Sequence, residues 1–350
     1  MPLSFAQRRL WFLYRLEGPG STYNGAAVLR ISGALDAQAL RAALGDVMAR
    51  HEALRTVFPE VDGRPYQHIL PAAEARPEVS VETLDEAELA AAVDRAVRHP
   101  FDLATELPLR ASLFTTDEHR HMLVLVIHHI AGDGWSMGPL SRDLSAAYAA
   151  RRAGRAPTWT PLPVQYADYT LWQRELLGAE DDPESLLAAQ VGYWREALAG
   201  IPERLELPTD RPYPERAGYE GGAVPVRVDA ALHRALIDLA RSRQTTVFMV
   251  LQAAVGVLLH RLGAGTDIPI GSLAHHPLFQ VMLAFNSNPR GELSFAGAKA
   301  TPQETRIGAA RMDLTVHLAE RRGDDGSPDG IVGSLTYRTD LFEQDTVTAL

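Results

Sequence analysis

Six apolar residues in a row, Met122 through Ile127, stand out in a chain whose apolar positions elsewhere recur at helical or alternating spacing. The run is too short for an independent helix and contains several β-branched side chains, so it predicts a strand. Apolar residues on both of its faces predict a central strand covered on both sides. Leu140, Leu144 and Tyr148, four apart, predict the helix that follows. Upstream, Ser4 can cap a helix through Leu13 whose Ala6, Leu10 and Leu13 share one face. Ala27 to Ile31 reads as a strand, and Asp36 as the cap of a helix carrying Leu40, Leu44, Val47 and Met48. Arg55 to Phe58 and Tyr66 to Leu70 predict two strands joined by a turn at Val61-Asp62-Gly63. A charged helix near Asp85 to Val97 precedes Phe101-Asp102-Leu103.

Two Pro-rich stretches, Gly154 to Pro163 and Ile201 to Gly222, read as exposed connections, with helical segments carrying Trp172 and Trp194 between them. The second half predicts strand Ala223 to Val228, a helix capped by Asp229, and a long apolar helix from Val247 to Leu262. Ile268 to Ile270, Phe279 to Phe285, Met312 to Leu318 and Ile331 to Tyr337 predict further strands. Both halves mix helices with strands, which fits two α/β lobes of similar build. At 350 residues and 46% hydrophobic, the chain exceeds the size at which a single core usually splits.

A formal charge of -10 argues against a general nucleic-acid binder, which needs a basic face to neutralise phosphates. No stretch reaches the length of a membrane span, and the N-terminus lacks the layout of a signal peptide, so a soluble, cytoplasmic protein is expected. With no cysteine, disulfides, thiolate metal sites and a cysteine nucleophile are excluded.

The apolar run leads into His128-His129-Ile130-Ala131-Gly132-Asp133-Gly134. Neighbouring strand residues point to opposite faces, so one histidine is expected to do chemistry while the other is held in place. A neutral imidazole, with an unperturbed pKa of about 6.5, can take a proton from an attacking nucleophile near neutral pH. Asp133 can orient His129, or pair with an arginine and hold the loop; spacing leans toward the second role. Gly132 and Gly134 permit a sharp turn and close approach to a substrate. The plain alternative, two satisfied core histidines beside a turn aspartate, stands alongside. Opposed side chains and the lack of a nearby Cys or Glu disfavour a metal site. Gly134-Trp135-Ser136-Met137-Gly138 spells the G-x-S-x-G pattern of a serine-hydrolase elbow. In that elbow the serine sits at the strand end, whereas here the segment from His128 to Trp135 intervenes; a hydrolase or thioesterase acting through Ser136 is the runner-up.

Motifs in order along the chain resemble the condensation domains of non-ribosomal peptide synthetases. Ser4-Phe5-Ala6-Gln7-Arg8-Arg9-Leu10-Trp11 is similar to the family's opening motif and Arg50-His51-Glu52-Ala53-Leu54-Arg55-Thr56-Val57-Phe58 to its second. His128 through Gly134 resembles the active-site HHxxxDG, Tyr166-Ala167-Asp168-Tyr169-Thr170-Leu171-Trp172 the fourth motif, and Pro277-Leu278-Phe279-Gln280-Val281 a late one. The resemblance implies an α/β, chloramphenicol-acetyltransferase-like fold, a V-shaped pseudo-dimer of two lobes around a central tunnel. Residues 1–175 are then the N-terminal lobe carrying HHxxxDG, and 176–350 the C-terminal lobe. It further implies an acyltransferase that binds no cofactor itself. Donor and acceptor carrier protein domains bring thioesters on phosphopantetheine arms, an adenylation domain adjoins in the parent synthetase, and neither nucleic acid nor membrane is a partner. The acceptor amine attacks the donor thioester and an amide forms. By this resemblance His129 is the catalytic histidine, as a base or as a group positioning the amine. His128 and Asp133 support it, Arg50 and Arg55 are candidate partners of Asp133, and Gly134 keeps the tunnel open. Ser136 then simply caps the following helix. Trp11, Leu54, Phe58 and Trp172 read as core packing, and Arg8 and Arg9 as a solvated helix face.

One departure is expected to matter. In the family, a strand like Ile268-Pro269-Ile270-Gly271 precedes a long segment with a Gly-Phe-Phe-Val-Asn-Thr-type motif and a later His-Gln-Asp motif. Here Leu273-Ala274 runs straight into His275-His276-Pro277-Leu278, so that segment is absent. His275-His276 is not a second active site, because no Asp-Gly follows. The absence motivates another reading, a catalytically impaired module that docks carriers, with Arg142, Arg151, Arg152 and Arg155 as contacts.

Overall fold

The computed structural model describes residues 1–215, 218–271, 279–286, 293–303, 308–323 and 325–350. The readings at Ala274, His275, His276, Pro277 and Leu278 therefore lie outside the described residues. The chain begins with helix α1 (Phe5–Glu17), strand β1 (Asn24–Gly33) and helix α2 (Ala37–Arg50). After a single 3-10 turn, Glu52–Arg55, come β2 (Thr56–Val57), β3 (Glu60–Val61), β4 (Arg64–Pro65) and β5 (His68–Ile69), nested as β3 with β4 inside β2 with β5. Asp62 and Gly63 both take positive φ between the inner pair, as an Asp-Gly hairpin turn requires. Next follow β6 (Glu78–Thr83), α3 (Glu86–Val97), β7 (Leu109–Asp117), β8 (Arg120–His128), α4 (Met137–Arg152), α5 (Tyr166–Leu177) and α6 (Leu186–Ala197). The remainder holds β9 (Gly221–Val228), α7 (Ala230–Ser242), α8 (Val247–Arg261), β10 (Ile270–Gly271), β11 (Val281–Asn286), β12 (Ala298–Gln303), β13 (Leu314–Arg322), β14 (Pro328–Arg338) and α9 (Gln344–Ala349). No single described helix is long and apolar enough to cross a membrane.

These elements form two compact units, Met1–Trp194 with Arg290–Ile307, and Arg195–Pro289 with Gly308–Leu350. The division expected at 175/176 would cut α5, whose helix continues to Leu177. A clean split into halves also misses β12, which pairs antiparallel with β1 and so belongs to the first unit.

In the first unit the sheet order is β12-β1-β8-β7-β6, with β8 in the centre. Leu123, Leu125 and Ile127 pack with Leu40, Leu44, Val47 and Met48 of α2 and with Leu144, Ala147 and Tyr148 of α4. Met122, Val124 and Val126 pack on the other side with Leu10 of α1 and with Leu89, Ala92 and Val97 of α3. Burying such a side chain contributes about 1.5–3 kcal/mol, and a slip of one residue would exchange the two faces. The register of β8, and with it the position of the histidines at its end, is fixed from both sides.

Buried polar groups join the opening, second and fourth motifs. Ser4 caps α1 in a reciprocal box with Gln7 and shares a 2.9 Å hydrogen bond with the Tyr166 hydroxyl at the start of α5. The Gln7 amide donates to Gln67 Oε1 at 3.1 Å, and Gln67 Nε2 donates to the Pro2 carbonyl at 2.8 Å. At the end of α2, Arg50 Nε donates to Asp143 Oδ2 of α4 at 2.9 Å, and His51 Nε2 meets the same oxygen at 2.8 Å. Arg50 also donates to the Thr160 carbonyl at 2.7 Å and lies 5.0 Å over the Trp159 ring. Gln165 bridges back to the Arg50 carbonyl and the Glu52 N–H. Burial alone would push the Asp143 carboxyl up, but hydrogen bonds from His51 and Arg50 hold it below the ordinary carboxylate range. Leu54 and Phe58 are buried as expected. Trp172 is not core, being 56% exposed, and Trp11 is half-buried with the Arg15 guanidinium 5.6 Å from its ring.

In the second unit the sheet order is β10-β11-β13-β14-β9. Arg338 at the end of β14 is its polar anchor. Its guanidinium donates to Asp313 at 3.0 Å and twice to Asp340, at 3.0 and 2.5 Å, while the Tyr213 hydroxyl donates to Asp313 at 2.8 Å. Tyr213 lies in the Pro-rich stretch, so this cluster fastens that connection to the sheet.

Two stability outcomes follow from these clusters. Arg338→Ala strands two carboxylates and should lower unfolding stability by about 3–5 kcal/mol, whereas Arg98→Ala, which removes the exposed Arg98–Asp94 pair, should cost no more than about 1 kcal/mol in the same urea titration. For Asp143, whose folded value is depressed, the stabilisation is complete above the unfolded value of about 3.9 and is lost as pH falls through the lower, folded one. The difference in urea midpoint between the native chain and Asp143→Asn should therefore hold steady above about pH 5 and narrow below about pH 4; a gap unchanged down to strongly acid pH would contradict this.

Candidate active site

At the end of β8 the main chain is clamped on both sides. The His128 N–H donates to the Pro108 carbonyl at 2.9 Å and the His129 N–H to the Tyr23 carbonyl at 2.8 Å, using residues just before β7 and β1. Asn24 Nδ2 donates to the carbonyls of Val97 and His99 at 2.9 and 2.8 Å, fastening the start of β1 to the end of α3. The strand end cannot shift without breaking several main-chain bonds at once.

The two histidines differ as their succession predicts. His128 is 2% exposed, beside the rings of Tyr23 and Phe101, and its Nδ1 accepts the Ile130 N–H at 3.1 Å, which puts the proton of the neutral ring on Nε2. His129 is half-buried, and its Nδ1 lies 2.7 Å from the Gly132 carbonyl oxygen. A carbonyl only accepts, so Nδ1 carries the proton and the basic lone pair of the neutral ring is on Nε2. The turn that brings Gly132 back under the ring follows directly from the strand end, where the Ala131 N–H bonds to the His128 carbonyl.

Asp133 is exposed and forms a reciprocal box with Ser136. Its N–H donates to Ser136 Oγ at 3.0 Å, and its Oδ1 accepts the Ser136 N–H at 2.9 Å and the hydroxyl at 2.7 Å. Two expectations are corrected here. Neither Arg50 nor Arg55 pairs with Asp133: Arg50 is committed to Asp143, and Arg55 to the Leu70 carbonyl and Glu52. Nor does the Ser136 side chain cap α4; Ser136 has helical backbone angles, and its hydroxyl is taken up by Asp133. The loop thus closes on itself through a short-range box. Gly134 is exposed, with open space where a Cβ would stand, so no neighbouring atom of the chain demands a glycine there.

The contacts made by three residues, Tyr23, Gly132 and Tyr166, were not read from the sequence. The carbonyls of Tyr23 and Gly132 hold His129, and a main-chain acceptor carries no residue-type signal. Tyr166 bonds to Ser4, and burial raises its pKa, with the charge of Asp133 adding to the rise, so the phenol stays protonated.

A family model described as Condensation domain matches residues 1–276. A dimodular nonribosomal peptide synthase of Bacillus subtilis is 44% identical over 417 aligned residues, covering 100% of this chain and 18% of that protein. The chain thus spans a small part of that relative's length. Since the alignment of 417 positions exceeds the 350 residues of the chain, at least 67 positions of the relative have no counterpart here. Among solved structures, the X-domain from teicoplanin biosynthesis is 33% identical with a TM-score of 0.90, covering 99% of this chain and 92% of that one. The condensation domain from the monacolin K polyketide synthase MokA, 18% identical with a TM-score of 0.77 over 98% of this chain and 92% of that one, shares the fold. That fold is the chloramphenicol-acetyltransferase-like arrangement, and with the family model spanning most of its length the chain belongs to the condensation domains of non-ribosomal peptide synthetases.

Proposed function

We propose that this domain forms an amide bond between a carrier-bound acyl or peptidyl thioester and an acceptor amine, with His129 as the catalytic residue. The observation that carries the reading is the Nδ1–H bond from His129 to the Gly132 carbonyl, which turns a half-buried imidazole into a base of defined tautomer. The amine nitrogen attacks the thioester carbonyl carbon, a C–N bond forms, and the nitrogen gives its proton to His129 Nε2. Collapse of the tetrahedral adduct breaks the C–S bond, and the departing pantetheine sulfur takes the proton back. The products are an amide, a free thiol and the neutral ring. A thioester is already activated, so proximity and one well-placed base suffice without a protein nucleophile. The partners on this reading are donor and acceptor carrier domains bearing phosphopantetheine and an adjoining adenylation domain, acting in the cytoplasm. Ser136 fits a structural role better than a nucleophilic one, because its hydroxyl proton already goes to Asp133.

A second reading, a module that docks carriers or enzymes without turnover, is favoured by the absent stretch of at least 67 positions and by the likeness to the teicoplanin X-domain, which has also been solved in complex with OxyB. On that reading Arg142 and Arg155 are the exposed basic contacts near α4. Arg151 is held by Asp46 at 2.6 Å, and the Arg152 guanidinium lies against Gly297.

With loaded carrier proteins, His129→Ala should abolish dipeptidyl product while Ser136→Ala stays within about tenfold of the native chain. Intact mass after fluorophosphonate treatment should show no adduct. Undiminished product from His129→Ala would refute the catalytic assignment. Carrier binding with no product from the native chain would establish the docking reading, and on it the double reversal Arg142→Glu, Arg155→Glu should weaken carrier binding by about tenfold or more.

A further inference from the structure

The sheet of the second unit is packed against helices on one face. Val224, Leu283, Leu314, Leu318 and Ile331 join two apolar clusters with Leu236 of α7 and Leu251 and Leu259 of α8. The alternate strand residues belong to neither cluster. The register sets Ala284, His317, Ser334 and Pro225 side by side across β11, β13, β14 and β9, and Asn286, Ala319, Val332 and Arg227 in the next row. An antiparallel sheet often leaves one face to water. In a chain with 44 acidic and 34 basic residues, a plain solvated face would carry carboxylates. The long side chains of this one are instead cationic: His317, Arg227, and Arg321 two residues beyond Ala319, all exposed.

His317 is accessible yet closely surrounded. It bonds to no described residue, and burial pushes its imidazole below the ordinary value, with the charge of Arg311 adding to the fall. Arg227 has no acidic partner among the described residues. The other carboxylates nearby are already engaged. Asp329 lies 3.8 Å from Arg321, Asp229 caps α7, and Glu320 turns to the helix side, where it meets His233. At the far end Arg338 is taken by Asp313 and Asp340. The Cα atoms of His317 and Arg227, two strands across and two residues along, are about 12 Å apart by strand spacing. An arginine and an imidazole reaching inward can close that gap around one small anion, with the Ser334 hydroxyl between them as a further donor.

We infer that this face binds an anionic group of a ligand, a phosphate or a carboxylate, held by His317 and Arg227. Two sources carry that chemistry, the phosphate of a pantetheine arm and a carboxylate on an acyl group. A bound anion favours the charged imidazole, so binding and protonation of His317 reinforce each other by the same factor. The inference does not depend on the role of His129.

The test uses two pairs of probes on the intact chain: phosphopantetheine against pantetheine, and amino-pantetheine acylated with succinate against the same compound acylated with butyrate. In at least one pair the anionic member should bind about tenfold or more tighter than the neutral one below the imidazole midpoint. That member should raise the midpoint of His317, followed by imidazole NMR, by about one unit. A response of the first pair assigns the face to the carrier arm, and a response of the second to the acyl group. Arg227→Ala should remove most of the preference. His317→Gln, which keeps a hydrogen-bonding side chain, should remove its pH dependence, while Arg234→Ala on the exposed side of α7 should change neither. Equal binding within both pairs, an unmoved His317 midpoint, or a preference that survives both Arg227→Ala and His317→Gln overturns the inference. Every readout is binding, so the result stands whether or not the chain turns over.

Discussion

The double burial of β8 is the constraint on which the rest of the first unit depends. A strand packed on one face is held in phase by that face alone, whereas β8 carries Leu123, Leu125 and Ile127 into one cluster and Met122, Val124 and Val126 into another. Rotating it or sliding it by a residue disrupts both clusters together. The histidines therefore leave the sheet at one place and in one order, and the carbonyls of Pro108 and Tyr23 receive their N–H groups. Everything proposed for His129 presupposes that fixed exit.

The family motifs divide their labour around this strand end. In the described residues the opening, second and fourth motifs are fastened into the frame, Ser4 directly to Tyr166, and Gln7 and Arg50 to residues outside the motifs, Gln67, Asp143 and Gln165. These are buried or half-buried polar contacts, expensive to leave unmade, and they join segments far apart in the chain. The arginine and histidine of the second motif converge on α4, the helix that begins where the loop after β8 ends. The motif residues thus stabilise the frame around His129 through contacts with one another and with the segments that flank them.

What could be read from the sequence was what short-range chemistry determines. The apolar run of β8, the Ser4 and Asp36 caps, the Asp62-Gly63 turn and the long apolar α8 each announce themselves within a dozen residues. β12 does not: Ala-Lys-Ala-Thr-Pro-Gln alternates only through small residues and a proline, lies at a sheet edge where Pro302 is tolerated, and finds its register against β1, at the other end of the chain. Its pairing is why the division into halves at 175/176 fails. The partner of Arg50 was misread for a related reason. Asp133 is close to His129 in sequence and suggested itself, while Asp143, in the second turn of α4, is the carboxylate that the end of α2 meets. The parallel pair β6 and β7 also went unread, although Leu109, Ala111 and Leu113 alternate inward along β7.

The choice of a carbonyl to orient His129 bears on the chemistry. A carboxylate bonded to Nδ1 would stabilise the imidazolium and hold the proton once it had been taken. A neutral carbonyl sets the same tautomer while favouring the charged ring less. A condensation of the proposed kind needs a base that accepts a proton from the amine and returns it to the leaving sulfur within one cycle, so a weaker hold on the cation serves both halves of the step. Asp133, the nearest acid in sequence, has its Oδ1 engaged by both donors of Ser136. The loop thereby uses its one carboxylate to hold its own turn and leaves the orientation of the imidazole to Gly132, a main-chain group that neither titrates nor swings away.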